Sequence, residues 1–241
     1  MRSDLYKLLD ESGLNAIHLP VLEKTSFQAA IFDLDGTLIN SEGPYLIALR
    51  TALAGRGVNW RKADVNRLLY GRSWFDVYLT IETMSPGLFT GVNDLTDAVE
   101  REMLAPDGPR PTMIASSVRL LTALATLIPT SIVSGSSRAQ VLGAAASLGV
   151  VSDLALCLGF EDYEAGKPSP SGFKEAARQM NVLASSCVVF EDSSVGVAAA
   201  RRAGMFCIGL AQEGAEQQDL SRAHLVVEDL CDPAVLKALG S

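Results

Sequence analysis

Four short stretches of the chain carry residues whose types and spacing suit chemistry on a charged oxyacid. IFDLDGTLIN (31–40) sets Asp33 and Asp35 two residues apart, followed by Gly36 and Thr37. TSIVSGSS (130–137) carries Ser134 and Gly135, EAGKPSP (164–170) carries Lys167, and CVVFEDSSVG (187–196) carries Glu191 and Asp192. In each strand-like stretch the apolar run ends where the polar groups begin. A carboxylate buried without a partner costs several kcal/mol or becomes neutral, so acids placed there need a reason. Each stretch has an ordinary reading: Asp-Gly makes turns, Ser134 and Asp192 suit helix N-caps, and Lys167 before a proline suits a solvated loop. The joint placement carries the argument, because four unrelated local caps have no need to share one crevice.

Together the groups suit phosphoryl transfer. Acids gathered closely repel and call for a cation, and hard oxygen ligands without His or Cys select Mg²⁺. Asp33 is the candidate oxygen nucleophile towards phosphorus. Lys167 offsets phosphate charge, while Ser134, Gly135 and the first amides of the following helix donate to phosphate oxygens. Asp35 is placed to protonate a leaving oxygen and then to deprotonate water.

The elements that must position these groups follow from periodicity. From Ala115 onwards helical patterns alternate with short apolar strands (TSIVS, LALCLGF, CVVFED, MFCIGLA, LVVED), the pattern of a parallel sheet covered on both faces. In such a sheet, ligands bind at the carboxyl ends of the strands. Residues 42–112 read as all-helical, with helices near 41–57, 62–69, 74–84 and 93–104, closed by the Pro/Gly-rich stretch APDGPRP. The expected organisation is an N-terminal extension (1–26), loosely attached, an α/β core (27–41 and 113–241) and an inserted helical cap (42–112). The fold class is thus α/β, a Rossmann-like parallel-sheet core plus an all-helical insert.

Composition narrows the partners. The chain of 241 residues has 28 Asp and Glu against 20 Lys and Arg, and this acidic balance argues against nucleic acid and anionic membranes but not against a small anion. No targeting segment is convincing, and the most apolar window, from Val118, is broken by Arg119 and Pro129. Cys157, Cys187, Cys207 and Cys231 are widely spaced, with no zinc pattern, and read as reduced thiols of a cytoplasmic protein. The expected partner is a small phosphorylated metabolite, and the expected state a monomer or weak homo-oligomer.

In order and strand context, DLDGT, the hydroxyl in IVSGSS, the lysine in GKPSP and FEDSSVG resemble the four motifs of the haloacid dehalogenase superfamily, and the helical insert resembles the cap of its subfamily I. The resemblance runs from Ala29 to Gly209. It implies Asp33 as the nucleophile that becomes aspartyl phosphate and Asp35 as general acid/base, with its backbone carbonyl on Mg²⁺. It also implies Asp192 as a side-chain Mg²⁺ ligand, with Asp33 and the supporting acid Glu191 completing the metal set. Ser134, Gly135 and Lys167 would grip the phosphate, Lys167 also restraining the nucleophile. The second acid places the chain on the phosphate-ester side of the superfamily, since the dehalogenases lack it.

By motif wording the chain is similar to sugar-phosphate phosphatases and to β-phosphoglucomutase. Those mutases carry a histidine twelve residues after the nucleophile, where this chain has Tyr45. They also carry a cap lysine where Tyr70 precedes Gly71. The reading is therefore a Mg²⁺-dependent phosphatase acting on a small phosphate monoester, a sugar phosphate or related metabolite. The alternatives are a phosphosugar mutase or a non-catalytic phosphate-binding protein. A receiver domain, which also holds aspartyl phosphate at strand ends, would be roughly half this length and would not need the helical insert or the second acid. Glu42, Arg72 and Trp74 are the candidate specificity residues, against the plainer reading of YGRSWFDVY as an ordinary amphipathic helix capped by Ser73.

Overall fold

The computed structural model of the chain describes residues 22, 24–61, 64, 65, 68, 74–212 and 218–240, without the side chain of Glu42. Its strands are β1 (Ala29–Phe32), β2 (Ile39–Asn40), β3 (Thr112–Met113), β4 (Thr130–Val133), β5 (Leu156–Leu158), β6 (Cys187–Glu191), β7 (Phe206–Leu210) and β8 (Leu225–Val227). Its helices are α1 (Glu42–Gly55), α2 (Trp74–Met84), α3 (Val92–Leu104), α4 (Ala115–Ala125), α5 (Arg138–Ser147), α6 (Ser171–Gln179), α7 (Ser194–Ala203) and α8 (Pro233–Leu239). Six strands form one parallel sheet in the order β5-β4-β1-β6-β7-β8, the α/β core expected.

The apolar runs of the strands serve both faces. On β1 and β6, Ala30, Phe32, Val188 and Phe190 point to the face covered by α4, α5 and α8. The alternate residues Ala29, Ile31, Cys187 and Val189 point to the face covered by α6 and α7. Strand residues alternate between faces, so buried strands of a doubly covered sheet must be apolar at every position. Phe32 and Phe190 are register partners and stack with ring centroids 4.3 Å apart. β1 sits centrally, with the chain moving one way to β4 and the other to β6, which opens a crevice at its carboxyl end.

Helices α1, α2 and α3 build a separate apolar cluster from Leu49, Leu53, Val77, Ile81, Leu95 and Val99. The chain enters and leaves this helical insert through β2 and β3, which pair antiparallel with Ile39 opposite Met113 and Asn40 opposite Thr112. Arg56 ties α1 to α3 through a two-pronged bond to Asp94, at 2.7 and 2.9 Å. Among the described residues no helix is long and apolar enough to cross a membrane.

The end of the N-terminal extension is better attached than its sequence suggests. Thr25 Oγ1 and the Ser26 N–H both donate to the Leu239 carbonyl at 2.9 Å, and Phe27 packs on Phe206. The last carbonyls of α8 lack helical partners, so residues 25 and 26 are recruited as donors. The rest of the extension, residues 1–21 and 23, lies outside the described residues.

β8 closes the sheet with help from a side chain. The His224 N–H donates to the Cys207 carbonyl at 2.8 Å, and the Cys207 N–H donates back to His224 Nδ1 at 2.9 Å. The imidazole stacks on Phe206 and lies against Arg201. Burial and the Arg201 guanidinium hold its pKa below the ordinary value. Protonation would remove the lone pair that accepts from Cys207, so the folded state prefers neutral imidazole. This contribution is whole above about pH 6.5 and is lost as pH falls through the lower folded value. Thermal unfolding scanned from about pH 7.5 to 5.5 should show a falling midpoint that is flatter in His224→Gln; equal slopes in both proteins would refute the assignment.

Candidate active site

The site lies at the carboxyl ends of β1, β4 and β6. β1 delivers Asp33, whose N–H donates to the Phe190 carbonyl at 3.0 Å and so pins it to the neighbouring strand. Gly36 then turns the chain at φ 81°. A side chain there would run into the Asp192 carboxylate, so glycine answers both the backbone and the close approach.

Lys167 is the hub. Its ammonium bonds Asp33 Oδ1, lies 2.5 Å from Glu191 Oε1, and sits over the Phe173 ring. Glu191 is fully buried, and its other oxygen accepts from the Ser193 N–H at 3.0 Å and Oγ at 2.9 Å. Gly196 gives this carboxylate room, since a Cβ there would overlap it. Burial pushes the Asp33 carboxyl up to about 8; Lys167 opposes the rise, while Glu191 and Asp35 add to it. Burial works against the Lys167 ammonium too, but Asp33 and Glu191 outweigh it and hold its pKa above the ordinary value.

Asp33, Glu191 and Asp192 offer oxygens that all lie within 4.8 Å of one another. Lys167 bonds two of these acids, Asp33 and Glu191. An all-oxygen donor set of this charge fits a hard divalent cation such as Mg²⁺. The fit is uneven. Both oxygens of Glu191 are engaged by Lys167 and Ser193, which leaves it a supporting acid. The Asp35 carboxylate lies outside the cluster.

Asp35 faces the other side of the crevice. Its oxygens accept from Ser41 Oγ at 2.6 Å, Ser136 Oγ at 2.9 Å and Ser134 Oγ at 3.2 Å. Neither Ser41 nor Ser136 is among the expected site residues. Their type gives little signal, because serines abound in loops, although Ser136 follows Ser134 by two. Ser134 is held by its own backbone, with its carbonyl accepting from Tyr163 Oη at 2.7 Å.

Three amides at the start of α5 already have partners within the protein. The Ser136 N–H donates to Ser134 Oγ, the Ser137 N–H to Gln140 Oε1, and the Arg138 N–H to Glu161 Oε2. A Ser137–Gln140 capping box and an acid from the next loop have taken these donors. The N-caps are Ser137 and Ser193, which leaves Ser134 and Asp192 free of the capping role.

From the insert, Tyr45 and Trp74 meet edge to face at 5.7 Å. Burial, Asp35 and Glu100 push the Tyr45 phenol up to about 12. Gln140 Nε2 donates to Glu100 Oε1 at 2.7 Å, joining α5 of the core to α3 of the insert. Glu42 opens α1, but its side chain, like the whole of Tyr70, Gly71, Arg72 and Ser73, lies outside the described residues.

With this geometry in place, the chain can be compared with known proteins. Residues 27–204 match the family described as haloacid dehalogenase-like hydrolase. The chain belongs to that family. This haloacid dehalogenase-like hydrolase is 32% identical over 211 residues to a validoxylamine A 7'-phosphate phosphatase of Streptomyces hygroscopicus subsp. limoneus, covering 86% of the chain and 95% of the relative. It is 28% identical over 181 residues to a fructose-1-phosphate phosphatase of Escherichia coli, covering 74% of the chain and 94% of the relative. In fold it is similar to the crystal structure of CbbY from Rhodobacter sphaeroides in complex with phosphate. That match has a TM-score of 0.75 and 20% identity, and covers 88% of this chain and 99% of the other. Family membership, with phosphatase relatives matched over nearly their whole length, makes this hydrolase an enzyme of the phosphatase type.

Replacing Lys167 by Met in this hydrolase would leave Asp33 and Glu191 buried with no ammonium between them. Loss of one partner of a buried ion pair costs about 3–5 kcal/mol. Urea unfolding should show a loss of that order, partly recovered when Glu191→Gln is added; a Lys167→Met protein as stable as the parent would remove Lys167 from its central place.

Proposed function

We propose that this chain hydrolyses a small phosphate monoester, a sugar phosphate or a closely related metabolite, through an aspartyl phosphate on Asp33. One observation carries the reading: Asp33 is held by Lys167 at a strand end, beside Asp192 and across the crevice from a second acid, Asp35. The names of the two phosphatase relatives, which act on a phosphorylated pseudo-sugar and a phosphorylated ketose, support the substrate class.

In this reading Asp33 and Asp192, with the Asp35 backbone carbonyl and Glu191 in support, hold Mg²⁺. The cation supplies positive charge that offsets the acids and lets a phosphate dianion approach them. Lys167 and Ser134, with the Gly135 amide, orient the phosphate, and the helical insert (42–112) covers it and excludes water. Asp33 attacks phosphorus in line, and the ester oxygen departs as Asp35 gives it a proton. Asp35 then takes a proton from water as that water attacks the aspartyl phosphate, which returns Asp33 and releases inorganic phosphate. To do this the Asp35 carboxyl must exchange part of its serine contacts for the leaving oxygen. The core (27–41 and 113–241) carries the chemistry. The setting that fits is cytoplasmic, as monomer or weak homo-oligomer, consistent with four cysteines that form no disulfide.

No observation favours a mutase. Tyr45 has no second nitrogen base to offer, and His224 lies between Phe206 and Arg201, on the β7–β8 edge. Asp33→Asn should abolish Mg²⁺-dependent release of phosphate from p-nitrophenyl phosphate while the circular dichroism spectrum stays that of the parent. Retention of most of the activity in that variant would sink the proposed nucleophile.

A further inference from the structure

Two hydrogen-bonding groups of the insert lie near the loops that hold the catalytic acid and have capacity to spare. Among the described residues, none hydrogen-bonds the Tyr45 hydroxyl. Glu100 receives one hydrogen bond, from Gln140 Nε2 at 2.7 Å on one oxygen. Tyr45 stands one turn of α1 beyond Ser41: its N–H donates to the Ser41 carbonyl at 2.9 Å, and Ser41 Oγ donates to Asp35 at 2.6 Å. Burial first, then Asp35 and Glu100, raise the pKa of the phenol, which agrees with that placement. Gln140 anchors Glu100 to the first turn of α5, whose N-cap Ser137 follows Ser136, a donor to Asp35. Trp74 packs edge-on against Tyr45 and adds an apolar wall.

The alcohol half of any ester whose leaving oxygen meets Asp35 extends into this space. An ionised carboxylate accepts hydrogen bonds and donates none, while a phenol both donates and accepts. Such a pair suits hydroxyl groups. It suits a second phosphate or a carboxylate less well, since either would bring negative charge beside Glu100 and towards Asp35, and like charges repel. We infer that Glu100 and Tyr45 are specificity residues that bind hydroxyls of the leaving group, so that the substrate is a polyhydroxylated monophosphate (a sugar, sugar alcohol or cyclitol) and not a bisphosphate. The inference rests on the phosphatase reading above and adds to it which residues read the alcohol.

The test compares fructose 1-phosphate, glucose 6-phosphate and glycerol 3-phosphate with fructose 1,6-bisphosphate and with p-nitrophenyl phosphate, which has no hydroxyls to read. The parent enzyme should prefer its best monophosphate to the bisphosphate by kcat/KM. A hydrogen bond to a charged group is worth a factor of about 10–100, so Glu100→Gln should lower kcat/KM for the best polyol phosphate by that order. The same variant should lower p-nitrophenyl phosphate hydrolysis much less, so the ratio of the two falls. Tyr45→Phe should move the ratio in the same direction. Glu100→Lys should raise the bisphosphate relative to the monophosphate. Gln140→Ala, which removes the link between α5 and α3 but keeps the Glu100 charge, should change all substrates in step. A parent enzyme that prefers the bisphosphate, or a Glu100→Gln protein whose substrates all fall together, would overturn the inference while leaving the phosphatase reading in place. A parent that releases phosphate from none of the esters would overturn both.

Discussion

The site depends on one buried contact, the ammonium of Lys167 set between the carboxylates of Asp33 and Glu191. Two acids cannot share the dry end of a parallel sheet unless a positive charge separates them. Burial works against the charged forms of Asp33 and Lys167, but Asp33 and Glu191 keep the lysine charged. The lysine in turn works against the burial that raises Asp33. The Asp33 carboxylate is therefore oriented by a charge that the fold has committed to one place. Asp192 stands beside this contact, and its carboxylate forms with those of Asp33 and Glu191 a cluster that could hold a cation.

Around that contact the fold spends its backbone donors in a particular way. The Ser193 amide and hydroxyl go to Glu191, and the amides that open α5 go to Ser134, Gln140 and Glu161. Helix starts are often anion sites, yet here the anions they hold belong to the protein itself. These contacts fix the loops that carry Ser134 and Glu191. The result is a rigid crevice floor with serine hydroxyls, rather than amides, surrounding Asp35.

How much of this could be read from sequence differs by residue. The sheet was legible because both of its faces are buried, which turns each strand into an unbroken apolar run with polar residues at its end. Asp33, Glu191 and Asp192 stood out for the same reason, since charged residues rarely follow such runs without cause, whereas Lys167 sits in a loop well past the end of β5. Ser41 and Ser136 were not, because a serine in a loop has many ordinary uses and its partner Asp35 is revealed only by folding. The competition for the α5 amides was partly readable: Ser137 and Gln140 have the spacing of a capping box, but Glu161 arrives from another loop. The pairing of Glu100 with Gln140 joins two exposed polar residues forty positions apart, a class of contact that no periodicity marks.

The ribbon of β2 and β3 has an evolutionary consequence. It brings Asn40 beside Thr112, so the sheet sees everything between them as a loop whose ends already touch. The entropy of closing such a loop grows only slowly with its length. A lineage can therefore lengthen, shorten or replace the helices on this stem at little cost to the core beneath. Within one chain, the parallel sheet and the helical insert can drift at different rates.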